Sequence, residues 1–136
     1  MIRRFTDRTE LHKALPGSSA EALMRELSRW GNTTTIILHG NCVFEFKGNF
    51  PDGSIAEDYY NLEGPASCLH GHINLKAIDH ICFQDRPHRG RESYAFNFQD
   101  DNDNNIFKVF LGRDEQGTLL VEQVTAFKRI QLELVI

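Results

Sequence analysis

Between Gly31 and Gly112 the chain leaves no room for a crossover helix. Its apolar residues recur at every second position in short runs, parted by turn formers. Such alternation marks half-buried strands, and strands without a long helix between them pair antiparallel. "TTTIILH" (33–39) is rich in β-branched residues, His39-Gly40-Asn41 supplies a turn, and "CVFEFKG" (42–48) places Cys42, Phe44 and Phe46 on one face. This predicts a hairpin. "PDGS" (51–54) predicts a turn. Further strands are expected over 57–63, 70–76, 77–84, 93–99 and 106–112, with a basic loop at 85–92 and an acidic, amide-rich turn at 100–105.

The flanks carry the helical period. Leu23, Leu27 and Trp30 recur at i, i+4 and i+7, so a helix is expected over Ser19–Trp30. Ser18 and Glu21 have capping-box spacing, and Gly31 suits a left-handed stop. Near the C-terminus Leu120, Val124 and Phe127 repeat the pattern, with Glu122, Gln123, Lys128 and Arg129 mostly off the stripe. "LHKALP" (11–16) suits a short helix stopped by Pro16, although the first seventeen residues carry no strong pattern. The class is α+β: a meander of about seven strands between two helices, in a single domain over residues 1–136.

The 136 residues suffice for a real core, and 40% hydrophobic with 25% charged residues is a soluble globular composition. A net charge of −4 argues against general affinity for nucleic acid or an acidic membrane. Arg86, His88, Arg89 and Arg91 still form a local basic patch whose arginines suit carboxylates, unless it is simply a solvated loop. No apolar run marks a signal peptide or a membrane span. The odd set Cys42, Cys68 and Cys82 fits reduced thiols in the cytosol. No phosphate loop, G-x-S-x-G, paired C-x-x-C or H-E-x-x-H is present. The acidic turn lacks the glycine and final glutamate of a calcium loop.

"SCLHGHINLK" (67–76) holds Cys68, His70 and His72 at alternate positions. On a strand all three share a face. Alternate residues stand roughly 6.5–7 Å apart, too far for three to close on one zinc ion. Haem iron asks less: one axial His or Tyr on the wall of an apolar cleft. A histidine of this face would serve, as would Tyr94 beside Phe96 and Phe98. The plainer readings are a solvated strand edge for the histidines and a core stripe for the aromatics. His39 ends its strand at the turn, and His80 suits a satisfied core or interface position.

"RWGNTTTIILHGNCVFEFKGNFP" (29–51), "YNLEG" (60–64), "GHINL" (71–75) and "FKVFLGRDEQGTLLVEQVTAF" (107–127) resemble the HutX/ChuX family of haem-utilisation carriers, collinearly from Trp30 to Phe127. The resemblance implies a large curved antiparallel sheet flanked by helices, as in the HemS/ChuX fold. It implies a cytosolic homodimer that takes up haem and hands it to a haem-degrading partner, without catalysis of its own. Family members usually carry a longer N-terminal segment. His72 matches a family histidine implicated in haem binding, as the proposed axial ligand to the iron. The second such histidine falls where this chain has Leu38, with His39 one place later, and Tyr94 lies in the region of a proposed tyrosine ligand. The alternatives are a haem-degrading enzyme, as related two-repeat haem proteins are, and an interaction domain without haem.

Overall fold

The structure, a computed structural model, describes residues 14–65 and 67–133. Strands β1 (Ala14–Pro16), β2 (Asn32–His39), β3 (Cys42–Asn49), β7 (His80–Asp85), β8 (Tyr94–Gln99) and β9 (Asn105–Leu111) form a six-stranded sheet in the order β1-β7-β8-β9-β2-β3. β4 (Gly53–Ala56), β5 (Tyr59–Leu62) and β6 (Gly71–Asn74) form a three-stranded sheet. Every pairing is antiparallel, as short connections require. Helices α1 (Ala20–Leu27) and α2 (Val121–Glu133) complete the α+β fold.

The β2–β3 hairpin has the expected register. His39 pairs with Cys42, leaving Gly40 and Asn41 as a two-residue turn with φ of 60° and 64°. Two successive positive φ values define a primed turn, which Gly and Asn tolerate. Along β2, Thr33 and Thr35 are buried while Thr34 and Ile36 face the other side. The buried side, the inner face, carries the core. Phe98 stacks on Phe107 with centroids 4.2 Å apart, and Phe96 packs on Phe127 of α2 at 4.9 Å. Leu23, Met24 and Leu27 of α1 join the same cluster. The Tyr94–Phe96–Phe98 stripe is therefore core, and Phe127 belongs to the buried stripe of the second helix as expected.

Several local expectations are corrected. The nine strands among the described residues divide between two sheets, whereas a single meander was expected. The short helix expected over 11–16 lies partly outside the described residues. Its described part, Ala14–Pro16, is a strand on β7 that buries Leu15, a long-range pairing that outweighs a local helix of one turn. The capping box at Ser18 is not formed. A tight turn occupies Gly17–Ser19, and the Glu21 carboxylate accepts instead from Arg25 Nε at 2.9 Å. α1 ends at Leu27, and Trp30 follows as a separate anchor 5.9 Å from Phe96. Gly53 and Ser54, expected in a turn, begin β4. The strand expected over 70–76 shortens to Gly71–Asn74, and Leu75–Ala77 becomes a helical turn capped by Asn74.

Gln123 also differs from its expected exposed place. It is 3% exposed; its Nε2 donates to Trp30 O at 2.9 Å and Asn32 O at 2.8 Å, and its Oε1 accepts from Gly112 N at 2.7 Å. One side chain thus clasps α2 to the start of β2 and the end of β9. Gly112 is required there, because a Cβ would collide with the Asn32 carbonyl.

Candidate functional site

The three-stranded sheet buries one face and opens the other. Tyr60 and Leu62 point into the core. Alternation sends Asn61 the opposite way. Register sets Asn61 against Ser54 on one side and His72 on the other, so the three form a row across β4, β5 and β6. His72 is exposed. Its Nδ1 lies 2.6 Å from Asn61 Oδ1. An amide oxygen only accepts, so this contact is a hydrogen bond when Nδ1 carries the proton, the tautomer that leaves the Nε2 lone pair free. An acceptor hydrogen-bonded to the far ring nitrogen is the usual arrangement behind a metal-ligating histidine.

Cys68 and His70 are exposed too, but they precede β6 and do not extend its row. The three-residue comb is broken, and among the described residues no three His, Cys, Asp or Glu side chains come together as a metal cage. Cys68 instead lines a cleft of about 270 Å³ between the 67–69 segment and Phe46 and Thr35 of the large sheet. Phe44 and Phe46 stay half exposed on that inner face.

The structure sets the candidate ligands apart. His39 is exposed at the tip of the β2–β3 hairpin, on the face of Ile37 and Phe44, on a different sheet from His72. Tyr94 is 4% exposed beneath α2, with its ring 5.2 Å from Phe127 and Lys128 Nζ 5.2 Å from the ring centre. Its hydroxyl donates to the Glu92 carboxylate. That bond, then burial and the Glu92 charge, push the phenol up to about 12. A ligating tyrosine is a phenolate, so this environment opposes the form an iron would take. His80 is satisfied, with Nδ1 at 2.9 Å from Asp79 and Nε2 at 2.7 Å from Gln99 Oε1.

Asn61 and Gln123 are the side chains whose contacts sequence spacing passed over. Asn61 follows from register, once "YYNLE" is laid against "GHIN". Gln123 had no signal, because a buried glutamine off an apolar stripe looks solvated.

The fold is that of a small two-sheet α+β protein, and the open face of its three-stranded sheet presents an exposed histidine backed by an asparagine. The chain belongs to the haem utilisation ChuX/HutX family, whose pattern matches residues 13–130. It is 42% identical over 122 residues to the intracellular heme transport protein HutX of Vibrio cholerae serotype O1. That alignment covers 90% of this chain and 63% of the relative, so the chain spans less than two thirds of that protein's length. The crystal structure of ChuX superposes with a TM-score of 0.83 at 31% identity, over 89% of this chain and 75% of that one. A structure of the heme-binding protein ChuX gives 0.81 at 30%, over 90% and 76%. ChuS, the heme-degrading enzyme of Escherichia coli O157:H7, shares the fold at 0.66 and 14% identity, over 89% of this chain and 37% of that one.

Proposed function

We propose that this chain is a haem carrier working inside the cell, with His72 Nε2 as the axial donor to the iron. The observation that carries this is the His72–Asn61 pair, which fixes the tautomer and leaves one open nitrogen on an open face. A single axial ligand suits a protein that must also release its cargo. Membership of a haem-utilisation family and likeness to an intracellular heme transport protein support the cargo and the compartment. No helix among the described residues is long and apolar enough to cross a membrane. The cargo passes to a haem-degrading partner, and the carrier itself performs no chemistry on it. His39, at its exposed hairpin tip, is the second candidate donor. Tyr94 is the third, and reaching iron would require breaking its bond to Glu92.

The working form is a homodimer. The β2–β3 hairpin supports this: it ends the large sheet and exposes Leu38 and Val43 on one face and Phe44 and Phe46 on the other. Apolar residues on both sides of an edge hairpin mark an association surface.

Haem titration followed at the Soret band tests the reading. Wild type shifts the band, and His72→Ala weakens binding at least tenfold. An unchanged spectrum and affinity in the variant would remove His72 from the role. Haem with a reductant in air separates carrier from enzyme: a stable spectrum marks the carrier, and steady loss to a bilin-like product marks degradation. No Soret shift with micromolar haem in the wild type would leave an interaction domain without haem.

A further inference from the structure

The tip of the β2–β3 hairpin sets a histidine directly against a cysteine. His39 pairs with Cys42 in the last rung of the ladder, and Gly40 and Asn41 close the turn. Opposed residues of an antiparallel pair leave the same face, with Cβ atoms roughly 4.5–5.5 Å apart. Both side chains stand on the face of Ile37 and Phe44, and both are exposed. Metal bonds of about 2.3 Å from sulfur and about 2.0 Å from an imidazole nitrogen can meet at one ion across that gap. The two-residue turn fixes the spacing, so H-x-x-C here is a two-pronged clamp on a rigid backbone.

Both donors are available. The Cys42 thiol makes one weak contact, 3.5 Å to the Gly40 carbonyl of its own turn. Among the described residues the His39 ring nitrogens have no hydrogen-bond or ion-pair partner. His80 and Cys82 differ: the imidazole is held through both nitrogens, and the thiol donates to Gln99 Oε1 at 3.3 Å. Cys68 precedes β6 and belongs to no ladder. Among the described residues, Cys42 is thus the cysteine with a histidine opposite it on a neighbouring strand.

Two donors are half of a tetrahedral site. Among the described residues no further His, Cys, Asp or Glu side chain completes a cage around them. The other half is a second copy of the clamp. The hairpin ends the large sheet and exposes Leu38, Val43, Phe44 and Phe46 beside the pair. A two-fold axis at such a surface presents the same patch from both copies, so two clamps meet. Together they supply two sulfurs and two nitrogens, a donor set that zinc takes in tetrahedral geometry. Each thiol gives up its proton to solvent as the metal binds, and the two thiolates balance the charge of a divalent cation. We propose that the hairpin tip is a metal site shared between two copies of this chain, taking a thiophilic divalent cation such as Zn²⁺ through Cys42 and His39 of each. It rests on the association through the β2–β3 hairpin proposed above, and it is independent of the His72 reading.

Co²⁺ is the spectroscopic probe, added to the reduced, metal-free full chain. We expect one ion per two chains, a thiolate-to-cobalt band in the near ultraviolet and the intense visible bands of tetrahedral cobalt, all abolished by added Zn²⁺. Light scattering should give a dimer with the metal bound. Cys42→Ser and His39→Ala should each weaken binding at least tenfold with an unaltered circular dichroism spectrum, while Cys68→Ser and His70→Ala should match wild type. Alkylation of the wild type needs no variant: Zn²⁺ should slow iodoacetamide labelling of Cys42 at least tenfold and leave Cys68 unchanged. Wild-type affinity in folded Cys42→Ser or His39→Ala, unslowed labelling of Cys42, or the weak visible bands of six-coordinate cobalt would each overturn the proposal. So would one ion per chain on a monomer. A dimer that binds neither ion at micromolar concentration would sink the metal site and leave the homodimer standing. A chain that stays monomeric with and without metal would sink both, and the Soret tests of His72 would be untouched.

Discussion

Asn61→Ala isolates what the Asn61 hydrogen bond does for His72 in its proposed role. Asn61 points away from the core on β5, so alanine leaves Tyr60 and Leu62 in place. It removes only the acceptor 2.6 Å behind the imidazole. Without it the ring can rotate and the proton can move to Nε2, which cannot then bind iron. Removing such an outer partner typically costs about 10–100-fold in metal affinity. The site is exposed and one bond is lost, so the low end applies: about tenfold, or ~1.4 kcal/mol. Asn61→Asp should keep wild-type affinity or exceed it, because a carboxylate accepts from Nδ1 more strongly. Ser54→Ala is the control. Ser54 stands beside Asn61 in the same row, but its hydroxyl donates to Glu63 at 2.8 Å and not to His72. Equilibrium Soret titrations of the three variants at one pH give the ranking. Equal affinity of Asn61→Ala and Ser54→Ala would refute the argument. So would a loss in Asn61→Asp as large as in Asn61→Ala.

Gln123→Leu strands two carbonyls and one N–H in the core at about 1–3 kcal/mol for each unmet group, partly offset by added apolar burial; a loss of about 3–4 kcal/mol in a urea melt is expected, and under ~1 kcal/mol would mean the clasp is replaced by water. Tyr94 rises from 10.0 unfolded to about 12 folded, so its stabilising contribution is complete below pH 10 and fades as pH climbs through 12. The part of an alkaline absorbance titration that is lost in Tyr94→Phe should therefore come late; if that part instead appears near pH 10, the Glu92 bond does not form. Val43→Asp places a charge on the exposed edge hairpin and should move the proposed homodimer to monomer in light scattering without changing the circular dichroism spectrum; an unmoved dimer mass would place the contact elsewhere, and a monomeric wild type would remove the dimer.

The strands were legible where alternation was strong. β2, β8 and β9 carry β-branched or aromatic residues on the buried face, β3 alternates with Phe44 and Phe46 half exposed, and Gly40-Asn41 marks its own turn type. β4 was not legible, because Ile55 is its one large apolar residue and stays half exposed. β1 is three residues whose strand identity comes wholly from β7, a long-range partner that local propensity does not register. The division into two sheets has the same origin: which strand pairs with which is decided by the shared core, not by spacing along the chain. At the candidate site, His72 was legible as an exposed polar position opposite Ile73. Its partnership with Asn61 needed the register. Cys68 and His70 misled, since alternation continued in the sequence beyond the point where the backbone is a strand.

Among the described residues the two sheets share no ladder. What joins the small sheet to the rest includes Tyr60 and Leu62 sunk in the common core, and Arg25 reaching Gly53 O at 3.3 Å from α1. A seam of that kind yields to solvent without unzipping a strand. The His72-bearing sheet can thus act as a hinged leaf whose opening energy is set by a few side chains, separate from the global stability of the six-stranded body. Amide exchange would report this as two protection classes, Tyr59–Leu62 and Gly71–Asn74 exchanging ahead of Tyr94–Gln99. For the proposed haem carrier, the unloading step would be written in that seam, not in the strength of the proposed iron–nitrogen bond.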